Sequence, residues 1–154
     1  MDHHGLLWQD TTYRCPGAII AGQEIKGNSV FVARSLIGGH LKTGKFVDGW
    51  GMYVSHSGQE HKEPAFQLLT NPRNVCVKWQ HGNGRIIPSN AVVGGVMNGM
   101  HIYIGRWRHE GSIVVGHITP WDGQLWYSWQ GREYSSSTFD ILLAFGSNCR
   151  CNEI

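Results

Sequence analysis

The sequence predicts an all-β protein in which two pseudo-symmetric antiparallel modules pack into one compact unit. Three observations carry this reading. Short β-branched and aromatic runs are bounded by glycine, no stretch shows helical periodicity, and one ordered series of residues occurs twice in the 154-residue chain.

Trp8-Gln9 opens the first copy and Trp79-Gln80 the second. The segment AIIAGQEIKGNSVFVARSLIGGHLKTGKF then overlays AVVGGVMNGMHIYIGRWRHEGSIVVGHIT, with Arg34 on Arg106, Gly39 on Gly111 and Gly44 on Gly116, an offset of 72. Val30 to Arg34 reads as a strand between turn signals at Gly27-Asn28 and Gly38-Gly39, so successive strands are expected to pair as a meander. Met52-Tyr53-Val54 and Leu125-Trp126-Tyr127-Ser128 supply further strands. Gly58-Gln59-Glu60-His61 overlays Gly131-Arg132-Glu133-Tyr134, and a closing strand, Phe66 to Leu69, overlays Phe139 to Leu142 at an offset of 73. The repeats are thus placed at residues 8–69 and 79–143, joined through Thr70 to Val77 with its Pro72. Each is too small to bury a comfortable core alone, and the join is short, which favours extensive packing or exchanged strands over beads on a string.

Composition narrows the function. With 21 glycines, 7 tryptophans and 16% charged residues the chain is turn-rich and aromatic, without the polarity of a disordered tail. A net charge of +2, spread singly, forms no basic stripe and argues against nucleic acid. The start, MDHHGLLWQD, lacks a positive n-region, and the longest apolar run, Ile141 to Phe145, is too short to span a bilayer. The expectation is no membrane insertion and a cytoplasmic protein, or one released without a classical signal peptide. Cys15, Cys76, Cys149 and Cys151 do not occupy equivalent places in the two copies, so reduced thiols fit better than a disulfide framework. Cys149-Arg-Cys151 lacks the spacing of a zinc knuckle or ribbon and reads as a loose tail, as do His3 and His4; no metal is expected.

Positions shared by both copies answer the steric needs of one backbone. Arg34 with Arg106, and Glu60 with Glu133, are read as structural hydrogen-bond partners, and the glutamates are not assigned a catalytic role. Positions that differ mark a site kept in one copy only. Glu24 falls where the second copy, one residue shorter there, offers Val96 or Met97, and Lys45 is replaced by His117. With the turns above, Glu24 is expected opposite Val30 and Lys45 opposite Val32, on one face with roughly 12 Å between their backbones. Two side chains reaching inward could grip a single sugar ring.

The ordered series Ala21-Gly22-Gln23-Glu24, Ala33-Arg34, Gly39-His40-Leu41-Lys42-Thr43-Gly44-Lys45 and Gly58-Gln59-Glu60-His61 resembles the DM-nine repeat family, from about Trp8 to Ala144. The resemblance implies a two-repeat antiparallel β protein that tends to dimerise, with some two-repeat members acting as mannose-binding lectins without calcium. It implies sugar contacts at Glu24, where the family typically carries aspartate, and at Lys45. His117 marks the altered equivalent in the second copy. No cofactor is implied, and the role is recognition of pathogen or host glycans.

A carboxylate accepting from two sugar hydroxyls and an ammonium donating to them need no metal. Each such bond contributes roughly 1.5–3 kcal/mol, so one site is expected to bind at millimolar to high micromolar strength and to gain from multivalency. The same family resembles a domain of natterin-like proteins, which gives the alternative of an intracellular interaction or stress-response module. An enzyme is not expected: HExxH, nucleophile-elbow and phosphate-loop motifs are missing, and His109-Glu110 beside Gly111 reads as a solvated turn. Trp50, Trp107, Trp121 and Trp129 are available as stacking surfaces, none assigned.

Overall fold

A computed structural model describes residues 4–83 and 85–146. His3, Cys149 and Cys151, read above as tails, lie outside them. Among the described residues there is no helix, and therefore none long and apolar enough to cross a membrane. The strands of the first repeat are β1 (Leu7–Thr11), β2 (Ile20–Gln23), β3 (Ser29–Ile37), β4 (His40–Val47), β5 (Gly51–His56), β6 (Gln59–Glu63) and β7 (Phe66–Thr70). Those of the second are β8 (Val77–Asn83), β9 (Val93–Met97), β10 (Met100–His109), β11 (Ser112–Thr119), β12 (Gln124–Trp129), β13 (Arg132–Ser136) and β14 (Thr138–Ala144).

The sheet runs β1-β7-β3-β4-β5-β6-β13-β12-β11-β10-β14-β8, the same order read from either end. Its centre is the pairing of Gln59 with its own repeat equivalent, Arg132, so a pseudo-twofold passes between β6 and β13. The hairpins match the twist of their strands. Gly38 and Gly39, at φ +58° and +80°, form the two-residue turn between Ile37 and His40 that holds the β3–β4 register.

Pairing of successive strands holds from β2 to β6 and fails at β7. That strand returns to β3, with Ala33 opposite Leu68, and β1 joins its far side. The reason lies in the side chains. Phe66, Leu68 and Leu69 need burial that the polar β6, Gln-Glu-His-Lys-Glu, cannot give, and the free edge of β6 is taken by β13.

β3 is buried on both faces, which explains its unbroken apolar run. Val30 and Val32 enter a cluster with Val92, Ile104, Val115 and Leu142 of the second repeat, while Phe31 and Ala33 pack with Phe46, Met52 and Leu68 of the first. The central cluster belongs to neither repeat alone. The repeats also interlock through the backbone: Val96 of β9 pairs with Leu41 of β4, and Thr43 donates through Oγ1 to the Gly116 carbonyl at 2.7 Å.

The repeated arginines clamp this junction. Arg34 donates to Gln67 at 2.8 Å and to the Gly94 carbonyl of the other repeat at 3.3 Å; Arg106 donates to Asp140 at 3.0 Å and to the Ala21 carbonyl at 2.7 Å. Their structural reading therefore holds. Gly44 and Gly116 allow the close approach of the following strand, since a Cβ would stand 2.3 Å from the Tyr53 oxygen at the first and 1.9 Å from the Trp126 oxygen at the second.

Candidate functional site

Lys45 sits on β4 opposite Val32, as its turn predicts, and opposite Tyr53 on β5. Glu24 departs from its expected register. A bulge between Ile20 and Gly22 brings Gly22, not Glu24, opposite Val30, and Glu24 begins the loop to β3. There its N–H donates to the Asn28 carbonyl at 2.9 Å, and Gly27, at φ +95°, donates back to the Glu24 carbonyl at 2.8 Å. The second repeat makes the same connection with a tight Asn98-Gly99 turn between Met97 and Met100. The extra residue of the first lets the loop lean on the second repeat, where the Ile25 N–H donates to Ser112 Oγ at 2.8 Å.

Glu24 and Lys45 line one cavity of about 250 Å³ with Trp50, Tyr53, Glu60 and Trp129. That is below the roughly 300–1,000 Å³ of drug-sized sites and suits a single ring. The Lys45 side chain is 5% exposed; its Nζ donates to the Ser128 carbonyl at 2.9 Å and lies 3.4 Å from Glu60 Oε2. The same carboxylate oxygen accepts from Ser128 Oγ at 2.6 Å, and Glu60 Oε1 accepts from the Gly131 N–H at 3.1 Å. Burial pulls the Lys45 ammonium below its usual range, with Glu60 and then Glu24 acting in the opposite sense. Burial, Glu60 and Glu24 together push the Tyr53 phenol up, so at neutral pH its hydroxyl keeps its proton and can donate.

Glu24 is buried and lines this cavity, and no hydrogen bond from a described residue reaches its carboxylate, which leaves its oxygens available as acceptors. Trp129 forms a wall 5.2 Å from Lys45 Nζ and is braced by His109, ring to ring at 5.4 Å. His109 is thus no solvated turn residue: only Glu110 and Gly111 form the turn, and the imidazole packs among Tyr127, Trp129 and Tyr134. Trp50, half exposed, stands at the mouth.

The profile of the DM9 (DM-nine) repeat matches residues 24–135 and 96–152. The chain belongs to the DM9 repeat family. No curated protein matches it. Among solved structures, this DM9 chain resembles the nematode sperm cell motility protein MFP2B, with a TM-score of 0.67 at 13% identity. The alignment covers 97% of the DM9 chain and 49% of the nematode chain, so the chain spans about half the length of its structural neighbour. At that identity the likeness is one of fold.

The DM9 repeat equivalent of Lys45, His117, stands opposite Ile104 and Trp126, only 2% exposed. Burial, with Lys42 adding to it, pushes its pKa down to about 3, so it is a neutral imidazole, and its Nδ1 has no hydrogen-bond partner among the described residues. Among the described residues, no group of three or more His, Cys, Asp or Glu is placed to hold a metal ion.

Two lining residues escaped the sequence reading. Glu60 is shared by both repeats, and one of its oxygens is structural: Gly131 N–H to Glu60 is mirrored by Gly58 N–H to Glu133 at 3.0 Å. Its other oxygen serves Lys45. Tyr53 carried a signal only in its register opposite Lys45. Trp107 and Trp121 are not among the residues that line this cavity.

Proposed function

We propose that this DM9 protein is a calcium-independent lectin whose first repeat holds one terminal sugar ring, mannose or a mannose-like hexose, between Glu24 and Lys45. The observation that carries the reading is an unengaged carboxylate and a buried ammonium sharing one ring-sized cavity with an aromatic wall. Glu24 accepts from two neighbouring hydroxyls. Lys45 has three N–H donors, directs two at Ser128 and Glu60, and keeps the third for the sugar. Tyr53 adds a donor, and Trp129 faces the apolar side of the ring. Glu60 is a positioning residue that holds the ammonium.

Among the described residues that line it, the cavity offers hydrogen-bond partners and an aromatic wall but no activated nucleophile, which supports recognition rather than catalysis. A homodimer would present two such cavities and raise the avidity for clustered glycans of a microbial or host surface. The test is a glycan array in excess chelator with the protein and Glu24→Gln. Mannosides retained by the parent and lost by the variant are expected; a blank array, or equal binding by both, contradicts the reading.

The resemblance to the repeat domain of natterin-like proteins carries a second reading, an intracellular protein-interaction or stress-response module. It predicts partner capture that survives both excess mannose and Lys45→Ala.

A further inference from the structure

A second cavity, of about 240 Å³, lies where the pseudo-twofold carries the first. Across the repeat, His56 stands for Trp129, Ser57 for Gln130, Trp126 for Tyr53, Glu133 for Glu60 and Met97 for Glu24. The replacements change its charge. One carboxylate is gone, and the Lys45 position is the neutral His117, which is not among the lining residues.

A cation enters from another direction. Lys42, on β4 where the second repeat has Val114, reaches the cavity from the first repeat; it is only 3% exposed, with Nζ 3.0 Å from His56 Nδ1. An ammonium has donors only, so His56 accepts through Nδ1 and carries its proton on Nε2. His40 lines the same space, and the His61 ring lies 6.0 Å from that of His56. Among the described lining residues Glu133 is the single carboxylate, and its Oε1 already accepts from the Gly58 N–H. Burial lowers the Lys42 pKa, and Glu133 opposes this. One wall is rigid: the Trp126 indole N–H is shared between Thr119 Oγ1 at 3.0 Å and Asp122 Oδ2 at 3.2 Å.

A buried ammonium, two flanking imidazoles, one partly engaged carboxylate and an aromatic face form a site short of negative charge. We infer that this second cavity binds an acidic sugar, its carboxylate or sulfate ester on Lys42 between His40 and His56, its ring against Trp126. The two repeats then read different glycan chemistry, a neutral ring in one cavity and an anionic one in the other. The inference is independent of the mannose reading, because no residue is shared between the two cavities.

The test is an NMR titration of the full chain, following the Trp126 indole N–H signal, with methyl glucuronide, glucose 6-sulfate, methyl glucoside and sodium sulfate. The glucuronide or the sulfated sugar should saturate the shift at concentrations at least tenfold below the neutral glucoside. Lys42→Met should weaken that response tenfold or more, while Glu24→Gln leaves it unchanged. His40→Gln, at a half-buried position that does not put the fold at risk, should weaken it several-fold. Failure of both acidic sugars to shift the signal, a response that survives Lys42→Met and His40→Gln, or inorganic sulfate binding as tightly as the sulfated sugar would overturn it. Loss of mannoside binding in a parallel titration would leave it standing.

Discussion

The Lys45 ammonium, on the first repeat, donates at 2.9 Å to the carbonyl oxygen of Ser128, on the second. The Ser128 hydroxyl donates to the Glu60 oxygen that faces Lys45, which closes a three-residue cycle across the repeat boundary. The first repeat's cavity is therefore a property of both repeats. The second cavity mirrors this, with Lys42 and His56 completing a pocket built on Trp126 and Glu133.

Sugar binding should depend on pH in a direction set by Lys45. Burial lowers its pKa from the ordinary lysine value while Glu60 holds it up, so binding is present below the folded pKa and is lost as pH rises through it. Glu60→Gln keeps an acceptor for Ser128 but removes the largest opposing charge, and the loss should move to lower pH. Mannoside affinity measured from pH 6 to 10 checks this; superimposable profiles would exclude Lys45 as the charged donor.

Gly116→Ala places a Cβ 1.9 Å from the Trp126 carbonyl oxygen, which only backbone movement relieves. The expected cost is about 3 kcal/mol, or a fall of roughly 6–12 °C in Tm for a chain of this size. Gly82→Ala, whose nearest neighbour would be 3.8 Å away, should stay within about 0.5 kcal/mol and serves as the control in thermal melts.

Arg106→Ala removes the hydrogen bonds to Ala21 and Asp140 and the stacking of the guanidinium 4.8 Å from Trp79. Its expected cost is about 2–3 kcal/mol in urea unfolding. Arg34→Ala should cost less. Its partner Gln67 is neutral and its bond to Gly94 longer, and burial has already drawn its pKa down to about 10.

Lys42→Val installs the residue that the second repeat uses and removes a desolvated charge. The fold should gain about 1 kcal/mol, roughly 2–4 °C. Because burial lowers the folded pKa, the gain is complete below that pKa and shrinks as pH rises towards 10.5, where unfolded lysine also loses its proton. Melts at pH 7 and pH 10 test both the size and the trend.

Lys45 and Glu24 were legible because the copies differ there, and the Gly38-Gly39 turn was enough to set Lys45 opposite Val32. The place of Glu24 was not, since the bulge after Ile20 and the added loop residue have no unique sequence mark. Glu60 was hidden by its own symmetry, as a residue shared for structural reasons in which one oxygen is left over for the site. Lys42 was hidden because Glu133, on β13 of the other repeat, meets it only once β6 and β13 pair across the pseudo-twofold, while His56 reaches it within the β4–β5 hairpin of its own repeat. The return of β7 to β3 depends on that same edge being occupied, which no local pattern encodes.

The proposed site holds one sugar ring between Glu24 and Lys45. The direct measurement is a crystal structure of the protein soaked with methyl α-mannoside in the presence of chelator. Density for one ring is predicted in the first cavity, with two hydroxyls on the Glu24 carboxylate, one on Lys45 Nζ and its apolar face towards Trp129. A clear map with that cavity empty, or with the ring bound away from Glu24 and Lys45, would contradict it.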